Sequence, residues 1–410
     1  MITILFLASA LLGDIDQKID ELFRGRSDRL KGEITDLILH EVGHARRVRA
    51  AELDGTLKTR RDAARAASPE VLMREDGDAI EPETLWDELR KVTVVHLAET
   101  HDQPRHHEIQ LEAIRQLDTG KDDLAIGFEM FPRSAQPILD QWVAGELSEW
   151  EFMERVNWYK SWGFPYPLFR PIFLYAREHH IRLVGLNAPA DINRKVGRGG
   201  LNSLTPEERA LLPKNIDLDD KVHRRNFEEI LPHHPGINLV TFYEAFCVWD
   251  DMMAESAALW LKKNGGRLVV IAGNGHIRTR LGIPERLKRR FKSSYRILLT
   301  QDVRDPDDNF DLMLAPGADY VWWTKEAHQP DPKRMGVGLD EKLAVTMVAP
   351  GSAAEKAGVK VGDIFRKAGK RKLTQPESIR HYLEIRKTDS FKLTVERNGK
   401  TVELKIDLPR

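Results

Sequence analysis

The sequence has little cysteine, almost no charge imbalance and no long apolar run, and each shortage excludes something. A single cysteine, Cys247, among 410 residues rules out an intramolecular disulfide framework and a cysteine-based zinc cluster. It sits in an apolar helical pattern and reads as a buried structural thiol rather than a nucleophile. Lys and Arg total 63 against 64 Asp and Glu, so no global field favours nucleic acid or anionic lipid, and nucleic acid is not an expected partner. Under that balance the basic stretches Arg286–Lys292 and Lys367–Lys372 read as solvated helix or loop faces. The apolar run Ile2–Leu12 is too short to cross a bilayer as a helix, so no transmembrane span is expected. It carries the apolar core and the small-residue Ala8-Ser9-Ala10 site of an export signal, without a basic residue before it. Residues 1–12 are therefore read as a signal-like segment. An exported, periplasmic or cell-envelope location is favoured over a cytoplasmic one.

What is present is enough apolar material for real cores, 41% against 31% charged, in a length that suits two or three domains. Residues 13–85 read as a charged helical arm. From Val92, short apolar runs alternate with amphipathic stretches. The runs Val92–Leu97, Leu124–Phe128, Ile181–Leu186, Leu239–Phe242, Leu268–Ala272 and Tyr295–Leu299 are expected strands. Helices are expected over His106–Leu117, Ala135–Val143, Leu168–His179, Glu244–Lys263 and Pro284–Phe291. Strands without strict alternation, separated by helices, predict an α/β domain over 86–325 with a mainly parallel central sheet. Arg194–Arg225 reads as a polar, helical insertion. After a linker at 326–333, a small β-rich domain is expected over 334–408, with a hairpin turn at Asn398-Gly399.

In open α/β sheets, ligands bind beyond the carboxyl ends of parallel strands. Four of the runs deliver polar groups there: Glu99 and His101, Glu129, Asn187, and Asn274 with His276. Parallel strands would bring them to one edge. Two imidazoles with carboxylates suit a divalent metal or general acid–base work, with Asn187 and Asn274 lining the pocket. Gly273 and Gly275 would let backbone approach a ligand closely.

These residues also carry a resemblance. Ala98-Glu99-Thr100-His101 and Gly273-Asn274-Gly275-His276 resemble the two histidine motifs of the ChaN-type haem-binding uptake family, within the wider Tiki and erythromycin-esterase group. Phe128-Glu129-Met130-Phe131, Trp162 through Pro171, Asn187-Ala188-Pro189, Asp250 through Ala254 and Asp319-Tyr320-Val321-Trp322 extend the match. The resemblance implies a haem- or metal-binding protein linked to iron acquisition, its cofactor haem or a divalent metal ion. Haem needs an axial ligand in an apolar pocket. Tyr159, Tyr166 and Tyr243 are available and no spacing selects one; Trp158, Trp162 and Phe164 are candidate walls. The resemblance equally implies a metal-dependent hydrolase, a Tiki-like protease. His101, Glu129 and His276 would then hold metal, and Glu99 would serve as ligand or general base. Whether the chain is an enzyme stays open at this point. A third reading is a scaffold whose central site has decayed. Its one sign is Ala98, which stands where the family has glycine.

Two further motifs remain. His40-Glu41-Val42-Gly43-His44 in the arm matches the zincin pattern, an i, i+4 histidine pair with a water-activating glutamate. A surface helix with incidental histidines is preferred, because no third ligand pattern follows. Residues 334–408 resemble a PDZ domain, through Met335-Gly336-Val337-Gly338-Leu339 and through Ala349 to Asp363. The resemblance implies that Gly336, Val337, Gly338 and Leu339 hold a protein or peptide C-terminus, with the helix Pro376–Arg386 as the groove's other wall. A homodimer is compatible with all of these features.

Overall fold

The computed structural model describes residues 70–74, 79–121, 123–230, 238–303, 317–327 and 334–408. The signal-like segment, most of the expected arm, the His40–His44 motif and the core of the linker lie outside them. The strands are β1 (Val71–Arg74), β2 (Val94–Glu99), β3 (Leu124–Pro132), β4 (Arg182–Asn187), β5 (Arg267–Gly273), β6 (Tyr295–Val303) and β7 (Tyr320–Lys325) in the central domain. They form one sheet in the order β1-β7-β6-β2-β5-β3-β4. Every pair from β7 to β4 is parallel; β1, not anticipated, adds antiparallel to β7.

Both faces of the sheet are covered, which is why its strands read as apolar runs rather than alternating ones. Leu97, Ile126 and Ile271 share one core with the helices Pro104–Leu117 and Tyr166–Glu178. Val94, Ala98 and Val270 share the other with the helix Leu239–Asn264. Ala98 is paired with Ala272 on β5 and Leu299 on β6 and lies wholly in that second core. Its methyl packs on the face opposite Leu97, so the sign for a decayed site disappears.

Two expectations need correction. Leu239–Phe242 is not a strand but the first turn of the long helix Leu239–Asn264. Asn238 Oδ1 accepts from the amides of Val240 (3.0 Å) and Thr241 (3.4 Å), an N-cap that outweighs the strand propensity of a short apolar run. Arg286 is not on a solvated face: it is fully buried and ion-paired with Asp251, because its helix, Ile283–Arg290, packs against Leu239–Asn264.

The C-terminal domain has its own core around Phe365, Leu393 and Ile406. Among the described residues, strand β8 (Val337–Leu339) pairs only with β9 (Val345–Val348), while β10 (Ile364–Ala368), β11 (Arg371–Lys372), β12 (Ser390–Arg397) and β13 (Lys400–Asp407) form a second sheet. The β12–β13 turn places Asn398 and Gly399 at φ 51° and 73°, as an Asn-Gly hairpin requires. Its helix, Ser378–Ile385, packs on the central domain's helices Glu149–Val156 and Trp158–Ser161, and Trp150 joins the small domain's core.

Candidate functional site

Glu99 ends β2, and its register partner on β5 is Gly273. The two signature motifs therefore begin on adjacent strand ends. Strand β3, on the other side of β5, carries Glu129; β4, beyond it, ends in Asn187. All the predicted side chains meet at this edge.

His101 folds back over the end of β5. A Cβ on Gly273 would lie 2.8 Å from its Cε1 and 2.9 Å from its Nε2. Glycine at 273 makes room for the imidazole, not for a ligand as expected, and Gly275 has only ordinary contact with Phe246. His101 Nδ1 donates to Glu99 Oε1 (2.8 Å), which leaves Nε2 uncommitted at the partly exposed side of the ring. Glu99 itself is buried behind it. Its Oε2 accepts from Gln110 Nε2 (2.6 Å) and lies 3.2 Å from His107 Nδ1. Both oxygens of Glu99 are thus engaged, and the His101 ring stands between its carboxylate and the partly exposed side of the site.

His276 follows β5 on the short helix Asn274–Ile277. Its Nδ1 donates to Asp250 Oδ1 (2.8 Å), and its Nε2 lies 3.5 Å from Glu129 Oε1. Glu129 Oε2 accepts from the Gly273 amide (2.7 Å). Asp250 Oδ2 accepts from His223 Nε2 (2.9 Å), whose Nδ1 lies 3.0 Å from the Tyr243 hydroxyl. Asn187 Nδ2 donates to the Glu129 carbonyl (3.0 Å), and Asn274 Nδ2 to Thr100 Oγ1 (3.3 Å) and the Thr300 carbonyl (3.3 Å). Both asparagines thus brace the strand ends.

Burial alone would push the Glu99 carboxyl up, but His107 and His101 outweigh it and hold it well below the usual range. Burial would lower His101; its bond to Glu99 and the charges of Glu129 and Asp102 raise it instead, to about 9. Asp250 is pushed up by burial yet held down at about 2 by His276 and His223. His276 is raised, the Glu129 and Asp250 carboxylates overcoming its burial. Each imidazole is thus pushed toward its protonated form by a buried carboxylate behind it. Burial pushes the Cys247 thiol up to about 12, as a structural cysteine should show.

Aromatic rings flank both imidazoles. Trp162 and Phe164 lie 4.6 and 4.8 Å from His101, while Phe246 stacks on His276 at 4.6 Å and Trp249 meets it edge-on at 5.7 Å. Trp158 lies deeper in the core. Tyr159, Tyr166 and Tyr243 are all buried, Tyr159 and Tyr243 with their hydroxyls in internal contacts, so none offers oxygen to an open pocket. His101, Glu129 and His276 converge, yet among the described residues no group of three or more His, Cys, Asp and Glu is arranged to hold a metal ion. The donor set fits one free imidazole nitrogen beside an aromatic wall, which is what an axial haem ligand requires.

His107, Gln110, Asp250 and His223 were not singled out from the sequence as site residues. His107 and Gln110, three apart on one helix face, carried a usable signal. His223, inside the irregular insertion, carried none.

Residues 85–287 match the family model for haem-binding uptake, Tiki superfamily, ChaN, and residues 328–408 match that of the PDZ domain. No curated protein matches the chain. Among solved structures, the chain is similar to ChaN of Campylobacter jejuni with cofacially bound heme, at 18% identity and TM-score 0.49, covering 62% of this chain and 96% of that one. It is similar to an erythromycin esterase mutant in its open conformation at 14% identity and TM-score 0.35, covering 62% and 81%. A serine endoprotease from Yersinia pestis is similar over 19% of this chain and 29% of its own, at 26% identity and TM-score 0.17.

Proposed function

We propose, for a chain that carries a ChaN-like domain of the haem-binding uptake family followed by a PDZ domain, that it binds haem through His101 and recruits a protein partner through the PDZ groove. The observation that carries this reading is the His101 ring. Its Nε2 is free, its Nδ1 is anchored on buried Glu99, and Trp162 and Phe164 stand beside it. A carboxylate behind the imidazole fixes its orientation and raises its basicity toward iron. Bound haem would supply a redox-active, ligand-accepting iron; the protein's part is to hold it and shield one face. Hemin titrated into the full chain should give a saturable Soret band that His101→Ala removes. No saturable band in the wild type sinks the reading.

The PDZ half rests on the edge of β8, which among the described residues pairs with β9 alone and so can accept an added peptide strand. Gly336, at φ 81°, turns the chain into that edge, where Val337, Gly338 and Leu339 offer amides to a terminal carboxylate. A role in iron acquisition at the cell envelope is the context we propose, supported by the family match and by the signal-like Ile2–Leu12 run. Fractionation of cells expressing the chain tests it.

A hydrolase is the second reading, favoured by the buried run Glu129–His276–Asp250–His223 opposite His101. Two carboxylate-backed imidazoles on either side of a strand end are suited to proton transfer. Peptide cleavage lost in both His101→Ala and His276→Ala, assayed with and without added divalent metal, would establish it.

A further inference from the structure

We propose that Arg194 and Arg198 form a clamp for the two propionate carboxylates of haem, in a groove adjoining His276; this rests on the haem reading above. The helix Ala190–Gly199 places the two arginines one turn apart on one exposed face. Like charges at this spacing destabilise a helix, and among the described residues neither has a carboxylate partner. Lys195 between them does, bonding Glu208 at 2.6 Å. A repulsion left uncompensated next to a compensated one points to an anion supplied from outside.

The groove they line has a volume of about 440 Å³ and is shared with Asn193, Phe242 and Trp249. Trp249 is the ring that meets His276 edge-on at 5.7 Å. Asn193 is 4% exposed and donates Nδ2 to Asn187 Oδ1 (3.3 Å), yet its own Oδ1 is buried without a partner. Asn187 in turn holds the Glu129 carbonyl. The groove is therefore one side chain removed from the strand-end site. It combines the apolar rings of Phe242 and Trp249 with the two guanidinium groups of Arg194 and Arg198. Haem has the matching chemistry: a flat apolar macrocycle with two carboxylates on one edge. Guanidinium pairs bind carboxylates by charge-assisted, often bidentate hydrogen bonds.

The test compares hemin with hemin dimethyl ester, in which both carboxylates are masked, by Soret titration of the full chain and of the Arg194→Ala/Arg198→Ala double variant. The clamp requires the double variant to bind hemin roughly tenfold or more weakly, as loss of two charge-assisted contacts implies, while its ester affinity stays at the wild-type value. Unchanged ester binding also shows that the variant is folded. Equal hemin affinity in both proteins overturns the clamp alone. So does a parallel loss of hemin and ester binding. Absence of any Soret band in the wild type overturns the haem reading and the clamp with it.

Discussion

Glu154 of the central domain and His381 of the PDZ domain meet in a buried contact, His381 Nδ1 donating to Glu154 Oε1 at 2.6 Å. The second carboxylate oxygen accepts from Ser378 Oγ (2.7 Å) and Thr374 Oγ1 (2.8 Å), and Gln375 Nε2 donates to the Glu154 carbonyl (3.1 Å). Tyr159 stacks on the His381 ring at 5.5 Å. The PDZ helix is thus bolted to the segment whose next residues, Trp162 and Phe164, wall His101. Glu154→Ala leaves buried donors unpaired, at a cost of about 1–3 kcal/mol. Urea denaturation followed by fluorescence should then show the small domain unfolding in a separate, earlier transition. A single transition at the wild-type midpoint would mean that the contact does not couple the domains.

Hemin binding should strengthen as pH rises. Iron takes the Nε2 lone pair of His101, so binding must expel the proton that the Glu99 and Glu129 carboxylates retain up to about pH 9. Below that value apparent affinity should rise by up to about tenfold per pH unit and level off above it. Stability of the free protein has the opposite slope. A folded pKa raised from 6.5 contributes stability that is complete below 6.5 and lost as pH climbs through about 9. Glu99→Gln removes the hydrogen-bonding carboxylate behind the ring and should flatten both profiles. Soret titrations and thermal melts from pH 6 to 9.5 measure them.

Much of this arrangement was readable from the sequence, and the failures have physical reasons. Buried parallel strands write themselves as apolar runs, so β2 to β6 and their polar ends Glu99, Glu129, Asn187 and His276 could be found without coordinates. Leu239–Phe242 has the same composition but begins a helix, because Asn238 supplies a cap that short apolar runs do not reveal. The roles of Asp250, His107 and Gln110 depend on which helix face packs over the strand ends. Ala98 and Gly273 show the limit most clearly. Ala98 reads as a sign of decay and Gly273 as room for a ligand, but the methyl of Ala98 lies in the core and the space over Gly273 belongs to His101.

Gly273→Ala follows from that last point. Its methyl would sit under 3 Å from the His101 ring, closer than real contacts allow, so the imidazole has to shift away from the end of β5 and its bond with Glu99 is put under strain. The expected result is loss of the hemin Soret band with native far-UV circular dichroism. Retention of both would show that the ring can shift without losing its ligating position.

Arg286 provides the test of the scaffold beneath the site. Its guanidinium is fully buried, paired with Asp251, and donates also to the Asp217 carbonyl (3.1 Å). The same Asp251 accepts from Arg290 (2.5 Å) and from the Asp217 amide (2.8 Å), and neighbouring Asp250 carries His276 and His223. Burial opposes the charge on Arg286, but Asp251 and Asp250 more than restore it. Truncating Arg286 removes one of the two guanidinium partners of buried Asp251, and breaking a buried pair costs up to about 3–5 kcal/mol. Arg286→Ala should lower stability by up to that amount in chemical denaturation. Replacing the pair together, Arg286→Met with Asp251→Leu, should recover part of the loss, because no unpaired charge then remains at that position. If the double variant is instead less stable than Arg286→Ala, the bonds of Asp251 to Arg290 and Asp217 hold this region together more than its pairing with Arg286 does.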